Sequence, residues 1–94
     1  SDMSQSDVIA VTRTTDGSIY GQRTRVRQIV ATTSSSGAPA IVVKDGGSSG
    51  TVRLSMAFKT SDVITVNIPD NGILFETDVY LDLTACDSVT FFLS

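Results

Sequence analysis

The sequence has no histidine and no tryptophan, and it contains one cysteine and one glutamate among its 94 residues. Without histidine there is no imidazole base, no Ser-His or Cys-His pair and no histidine metal ligand, which excludes the commonest enzyme chemistries. Cys86 is the only cysteine, so it cannot form an intrachain disulfide, and this fits assembly in a reducing cytoplasm. We predict a non-enzymatic protein with no cofactor and no metal.

Long apolar runs are also missing. No stretch approaches the 18 or more apolar residues of a membrane helix, and the amino terminus lacks a basic region followed by an apolar one. We predict no membrane partner and no targeting signal. Ser1 and Asp2 are interpreted as a cloning remnant before a start at Met3, because a start methionine at position three is otherwise unexplained. Residues 4–94 are predicted to form a single β domain.

Residues typical of strands make up much of the rest. Valine, isoleucine and threonine together number 30, against two lysines and five leucines. β-branched side chains lose rotamer freedom in a helix but pack well on a pleated surface. Short alternating runs recur about every ten residues, separated by turn residues. The composition and spacing predict an all-β fold, either a single antiparallel β-sandwich or a partly closed, jelly-roll-like β-barrel.

Eight short strands are predicted, and the turn chemistry suggests how two pairs of them connect. Asp16-Gly17 is predicted to close a first hairpin, and Pro69-Asp70-Asn71-Gly72 to reverse the chain in another. The strands are expected at residues 8–13, 19–31, 40–43, 51–58, 62–68, 73–75, 79–83 and 88–93. The predicted core comprises Val52, Leu54, Met56, Val66, Leu81, Val89 and Phe91.

Arg23, Arg25 and Arg27 occupy alternate positions of the predicted second strand. Alternation puts them on one face about 7 Å apart, as a positive stripe suited to carboxylates or phosphates. Nucleic acid is disfavoured as a partner, because the net charge is -3 and no aromatic residues interleave with the arginines. The stripe is a candidate protein interface, and a solvated outer face is the alternative interpretation.

The acidic residues are concentrated in the last third of the chain. From residue 61 onward there are six acidic residues and no basic one. The arginine strand could therefore lie beside Asp78 and Asp82 in the same chain, or pair with them between copies of a homo-oligomer. Glu76 with Asp78 or Asp82 could also form the carboxylate pair of a glycosidase, but the chain lacks the aromatic side chains expected around a sugar.

A second candidate element is the segment richest in glycine and serine. Asp45, Gly46, Gly47, Ser48, Ser49 and Gly50 are predicted to form a mobile docking loop, because small residues leave little to hold the backbone in place. The segment lacks the Gly-Lys-Ser/Thr ending of a phosphate-binding loop.

The carboxy-terminal third carries a family resemblance. Ile-Pro-Asp-Asn-Gly-Ile-Leu-Phe at residues 68–75, Val-Tyr-Leu-Asp-Leu-Thr at 79–84 and Ser-Val-Thr-Phe-Phe at 88–92 resemble the ending of many small proteins encoded among the virion structural genes of tailed bacteriophages. The motifs contain no catalytic residue.

The resemblance implies a virion protein assembled in the host cytoplasm, such as a head decoration or cement protein that stabilises the capsid. The expected partners are other copies of the chain, with a trimer favoured, and a capsid or tail protein. Alternatives are a neck, tail or fibre component and a small carbohydrate-binding β-module, which the scarcity of aromatic residues disfavours.

Overall fold

The computed structural model describes residues 8–94, and the predicted remnant at residues 1–3 lies outside them. Every regular element in this range is a β-strand, as the β-branched composition predicts. The nine strands are β1 (Ile9–Arg13), β2 (Gly17–Tyr20), β3 (Thr24–Thr33), β4 (Ala40–Asp45), β5 (Thr51–Ala57), β6 (Val63–Asn67), β7 (Ile73–Phe75), β8 (Val79–Thr84) and β9 (Cys86–Leu93). Within residues 8–94 there is no helix that could span a membrane.

The strands form two antiparallel sheets, which confirms the predicted sandwich. One sheet has the order β1-β9-β3-β6, with β7 also paired to β3, and the other has the order β2-β8-β4-β5. With β6 and β7 counted as one interrupted strand, the eight strands have the connectivity of a jelly roll. We call the two layers the β3 sheet and the β4 sheet. Each has one face on the shared core and one outward face.

The predicted strand at residues 19–31 is two strands. The chain leaves the β4 sheet after Tyr20 and enters the β3 sheet at Thr24, and Gly21 lies in the connection between them. The inward positions change from odd to even across this break, from Ile19 to Thr24 and Val26, and residues 21–23 between them are exposed. An alternating pattern followed straight through residues 19–31 therefore could not show where the chain crosses from one layer to the other.

Neither predicted hairpin forms. β1 and β2, next to Asp16-Gly17, lie in different sheets, and the predicted reversal at Pro69–Gly72 is also wrong. Pro69 does accept a hydrogen bond from the Gly72 amide at 3.1 Å, and Asp70 and Asn71 both have positive φ, so the turn itself is present. However, β6 and β7 do not pair with each other, and both pair antiparallel with β3. The turn thus interrupts a strand that continues in the same direction along β3, as β6 before the turn and β7 after it. Gly72 is required there, because a Cβ atom would collide with the carbonyl oxygen of Val26.

In the described part of the chain, thirteen buried apolar residues fill the space between the sheets. Leu81, Val89 and Phe91 have no exposed surface, which confirms their predicted core positions. The other ten are Ile19, Val26, Ile29, Ala31, Ile41, Val43, Phe75, Val79, Cys86 and Leu93. Leu54, Met56 and Val66 pack against this core but are only half-buried, because their strands lie at the sheet edges.

Val52 is the one predicted core residue that the structure places outside, with 53% of its surface exposed. The reason is a β-bulge at Arg53. Leu54 pairs with Val43 and Val52 pairs with Lys44, so Arg53 is an extra residue between two consecutive pairs. An extra residue shifts the alternation by one position and turns the side chains before it to the other face.

Candidate functional site

The three candidate arginines do not form one stripe along a strand. Arg23 precedes β3 and lies in an exposed loop, whereas Arg25 and Arg27 belong to β3. The Arg23 guanidinium forms an ion pair with Glu76, with an Nε to Oε1 distance of 3.2 Å. Both side chains are more than half exposed, so the pair adds little to stability.

Arg25 and Arg27 are held on the outward face of the β3 sheet by backbone pairing with the end of the chain. The Arg25 amide donates to the Ser94 carbonyl at 3.1 Å, and the Ser94 amide donates to the Arg25 carbonyl at 3.0 Å. Arg27 Nε donates to Ser94 Oγ at 2.6 Å. The backbone of Arg25 and the side chain of Arg27 are therefore both anchored at the Ser94 end of this face.

A second bulge shapes this region. The register between β3 and β9 shifts between Val26 and Gln28, which leaves Arg27 as the extra residue. Thr24 and Val26 face the core before the bulge, and Ile29 and Ala31 face it afterwards. Ile29 therefore faces the core, although strict alternation would put it on the same face as Arg25 and Arg27, because the extra residue changes the alternation at Arg27. Arg27 and Gln28 are consecutive half-buried residues in an otherwise alternating strand.

The outward surface around Arg25 and Arg27 combines positive charge with apolar side chains. Leu74 pairs with Arg25 across β7, and Phe92 pairs with Gln28 across β9. We call the surface formed by Arg25, Arg27, Leu74 and Phe92 the arginine face. Within the described strands of the β3 sheet the only carboxylate is that of Asp87, at the opposite end, where it accepts a hydrogen bond from Ser34 Oγ at 2.8 Å.

The structure is inconsistent with one of the two pairings that the sequence left open for the arginines, the pairing with Asp78 and Asp82 within one chain. Asp82 lies within β8 and Asp78 immediately precedes it, so Asp82 belongs to the β4 sheet and Asp78 lies next to it, across the core from β3. Asp82 pairs instead with Lys44, with an oxygen to nitrogen distance of 2.7 Å. Asp78 accepts a hydrogen bond from the hydroxyl of Ser18. For residues 8–94, Arg25 and Arg27 have no salt bridge to a carboxylate.

Asp45, assigned to the mobile loop from the sequence, is instead the last residue of β4 and is buried. Its carboxylate accepts hydrogen bonds from the amides of Glu76, Thr77 and Asp78, at 2.8, 2.9 and 3.3 Å. The Thr77 hydroxyl donates a further bond at 3.1 Å. These donors favour the charged form, so the pKa of Asp45 falls from 3.8 to about 2.

Asp45 therefore connects two segments that are distant in the sequence. Its carboxylate holds the link between β7 and β8, and Arg53 Nη2 of β5 lies 3.7 Å from Oδ2. Because Glu76 in that link also binds Arg23, three loops meet at one end of the sandwich. The sequence contained a signal for this role, since Asp45 continues the inward alternation of Ile41 and Val43. Polar residues on an inward face usually satisfy buried backbone groups.

The rest of the candidate loop forms a short turn between β4 and β5. The Gly50 amide donates to the Gly47 carbonyl at 2.9 Å, and Lys44 Nζ donates to the Ser48 carbonyl at 2.9 Å. A Cβ atom at Gly50 would collide with the carbonyl oxygen of Asp45. The turn is thus anchored at both ends by specific contacts, while Ser48 and Ser49 are exposed at its tip. Its mobility and its docking role stay predictions.

Other kinds of site have no counterpart among residues 8–94. This range contains no pocket and no group of three or more metal-ligating side chains. Cys86 is buried between the sheets, and desolvation raises the pKa of its thiol.

In comparisons with known proteins, the chain matched no family model, no curated protein and no solved structure.

Proposed function

We propose that this protein is a non-enzymatic accessory component of a bacteriophage virion, and specifically a head decoration or cement protein that binds an acidic capsid surface through the arginine face. The resemblance of residues 68–92 to small virion proteins supports the virion assignment. The jelly roll is compatible with it, because this architecture occurs in viral capsid proteins, although the same architecture also serves unrelated functions.

The observation that carries the proposal is that Arg25 and Arg27 form no salt bridge within residues 8–94. The two side chains lie two residues apart on the outward face of β3, so they repel one another unless a negative charge lies nearby. Asp78 and Asp82 lie in or next to the β4 sheet and cannot provide it. A carboxylate-bearing partner would supply this charge and would cover Leu74 and Phe92 at the same time. Many identical weak contacts of this kind add up on a repeating lattice.

The first test asks where the protein resides. Virions of the phage that encodes the chain are purified, the protein is quantified in them, and antibodies locate it by immunogold microscopy. The proposal expects many copies per particle, on the head. Its absence from virions overturns the virion role, and labelling confined to the tail overturns the decoration role.

The second test asks whether the arginine face makes the contact. Heads from a phage that lacks the gene are incubated with the parent protein, with Arg25→Ser/Arg27→Ser, or with the control Arg13→Ser/Lys59→Ser. Arg13 and Lys59 are exposed cations outside the face, so both variants lose two positive charges. We expect the face variant to bind about tenfold more weakly than parent and control at low salt. The difference should shrink as salt rises. Equal binding of the two variants overturns the arginine face as the docking surface.

A further inference from the structure

A second surface of the molecule is apolar and only partly covered. β5 and β6 are the last strands on the same side of their sheets, and residues 58–62 connect them. Neither strand contains a fully buried residue. Inward side chains on this side are half-buried, namely Leu54, Met56, Phe58, Ile64, Val66 and Ile68. We call the surface formed by β5, β6 and these side chains the open side.

The outward residues of the open side are also apolar. Val52 and Val63 are two of the four large hydrophobic residues that are strongly exposed within residues 8–94, at 53% and 64%. Soluble proteins usually protect sheet edges with charged side chains, proline or a covering segment. Arg53, at its bulge, is the only charged residue in the two strands. Apolar surface joined to unpaired strand backbone is typical of a surface that binds another chain.

The distribution of charge indicates which chain fits this surface. In a two-fold contact each patch meets the same patch of a second copy, so a charged patch meets its own charge. The arginine face would then bring Arg25 and Arg27 against identical arginines. The open side is almost uncharged. Antiparallel pairing of two β5 strands about an axis at Leu54, the middle residue of the strand, places Arg53 of one copy opposite Ser55 of the other.

We infer that the open side is a homodimer interface, in which β5 pairs antiparallel with β5 of a second copy about a two-fold axis. The pairing satisfies the free backbone groups of both edges and lets the half-buried side chains of the two copies cover one another. This arrangement differs from the trimer expected from the sequence. It does not depend on the virion role, because the contact forms between copies of the purified chain.

Solution mass tests the interface. Light scattering of the full chain should give twice the 9.9 kDa chain mass at high concentration. Val52→Lys/Val63→Lys places like charges across the contact and should raise the dimer dissociation constant about tenfold or more. The matched control is Val8→Lys/Ile9→Lys, because Val8 and Ile9 are comparably exposed, at 56% and 45%, beside the opposite edge of the β3 sheet. This control should dimerise like the parent.

Three results would overturn the inference. They are a parent protein that stays monomeric at millimolar concentration, a parent mass of three chains, and equal association of the open-side variant and the control. Hydrogen exchange of the unsubstituted protein gives a second measurement that requires no variant to fold. Amides of β5 should become more protected as concentration rises, whereas those of β2, the other edge of the β4 sheet, should not. Protection of β2 alone, or of neither edge, contradicts the proposed pairing.

Discussion

The central strands of the sandwich and the strands of its open side carry the same apolar alternation but bury it differently. Leu81 in β8 and Leu54 in β5 both face the core, and both pair with Val43 of β4. Leu81 has no exposed surface, whereas Leu54 is only half-buried. Alternation therefore reports the face on which a side chain lies. Burial also depends on whether a further strand or partner covers that side.

The largest expected effect tests this comparison directly. Leu81→Ala should reduce the free energy of unfolding by about 2–5 kcal/mol, because it leaves a cavity in a closed core. Leu54→Ala should cost about 1–2 kcal/mol, because less apolar surface is lost and the edge can relax. Urea denaturation measures both losses of stability. Each substitution is made in the Val52→Lys/Val63→Lys variant, so that association of copies does not contribute. Equal losses would show that the open side is as tightly packed as the centre.

Asp45 should produce the next largest effect, because its carboxylate links the end of β4 to the β7–β8 connection. Asp45→Asn replaces one acceptor oxygen by a donor and should destabilise the fold less than Leu81→Ala does. The change should also alter the pH dependence. The pKa of Asp45 is lowered to about 2 in the folded protein, so its stabilisation is present above pH 4 and disappears as the pH falls towards 2.

The pH dependence is measured by thermal unfolding of the parent and of Asp45→Asn between pH 5 and pH 2. The difference between the two melting temperatures should narrow as the pH falls. A difference that stays constant would mean that the Asp45 charge does not contribute to the linkage between the two segments.

A smaller effect is expected at Val52, where the sequence pattern was misleading. Val52→Ser should change the stability of the monomer by less than about 0.5 kcal/mol, because the side chain already lies outside the core. Chemical denaturation at a protein concentration below the dimer dissociation constant measures the free energy of unfolding. A loss of stability comparable to that of Leu54→Ala would mean that Val52 packs in the core, which contradicts the bulge at Arg53.

The smallest effect concerns the exposed ion pair between Arg23 and Glu76. A double-mutant cycle with Arg23→Gln and Glu76→Gln should give a coupling free energy of about 0.2–0.5 kcal/mol at low salt. The coupling should vanish at high salt, because the charges are screened. A coupling above 1 kcal/mol would mean that the loops at this end form a more rigid unit than their exposure indicates.

Much of the fold could be predicted from local sequence. The parts that could not be predicted depend on how each strand pairs with its neighbours. The wealth of β-branched residues predicted the all-β fold, with a sandwich and a partly closed barrel both left open, and alternation located Leu81, Val89 and Phe91 in the core. Arg27 and Arg53 each add one residue to a strand, which changes the inward face without leaving a compositional mark. Pro69–Gly72 forms the expected turn, but its local geometry does not determine which strands pair on either side of it.

The features of the candidate site likewise divide into those that are evident from the sequence and those that depend on the tertiary structure. The sequence by itself supplied three arginines, a glycine-rich turn and an excess of acidic residues near its end, because composition and spacing are local properties. Only the tertiary structure separated Asp78 and Asp82 from Arg25 and Arg27, since these residues belong to different layers. It alone brought the Glu76, Thr77 and Asp78 amides to the Asp45 carboxylate and left the open side uncovered. Those features depend on contacts between residues far apart in the chain, which strand pairing creates and no local pattern encodes.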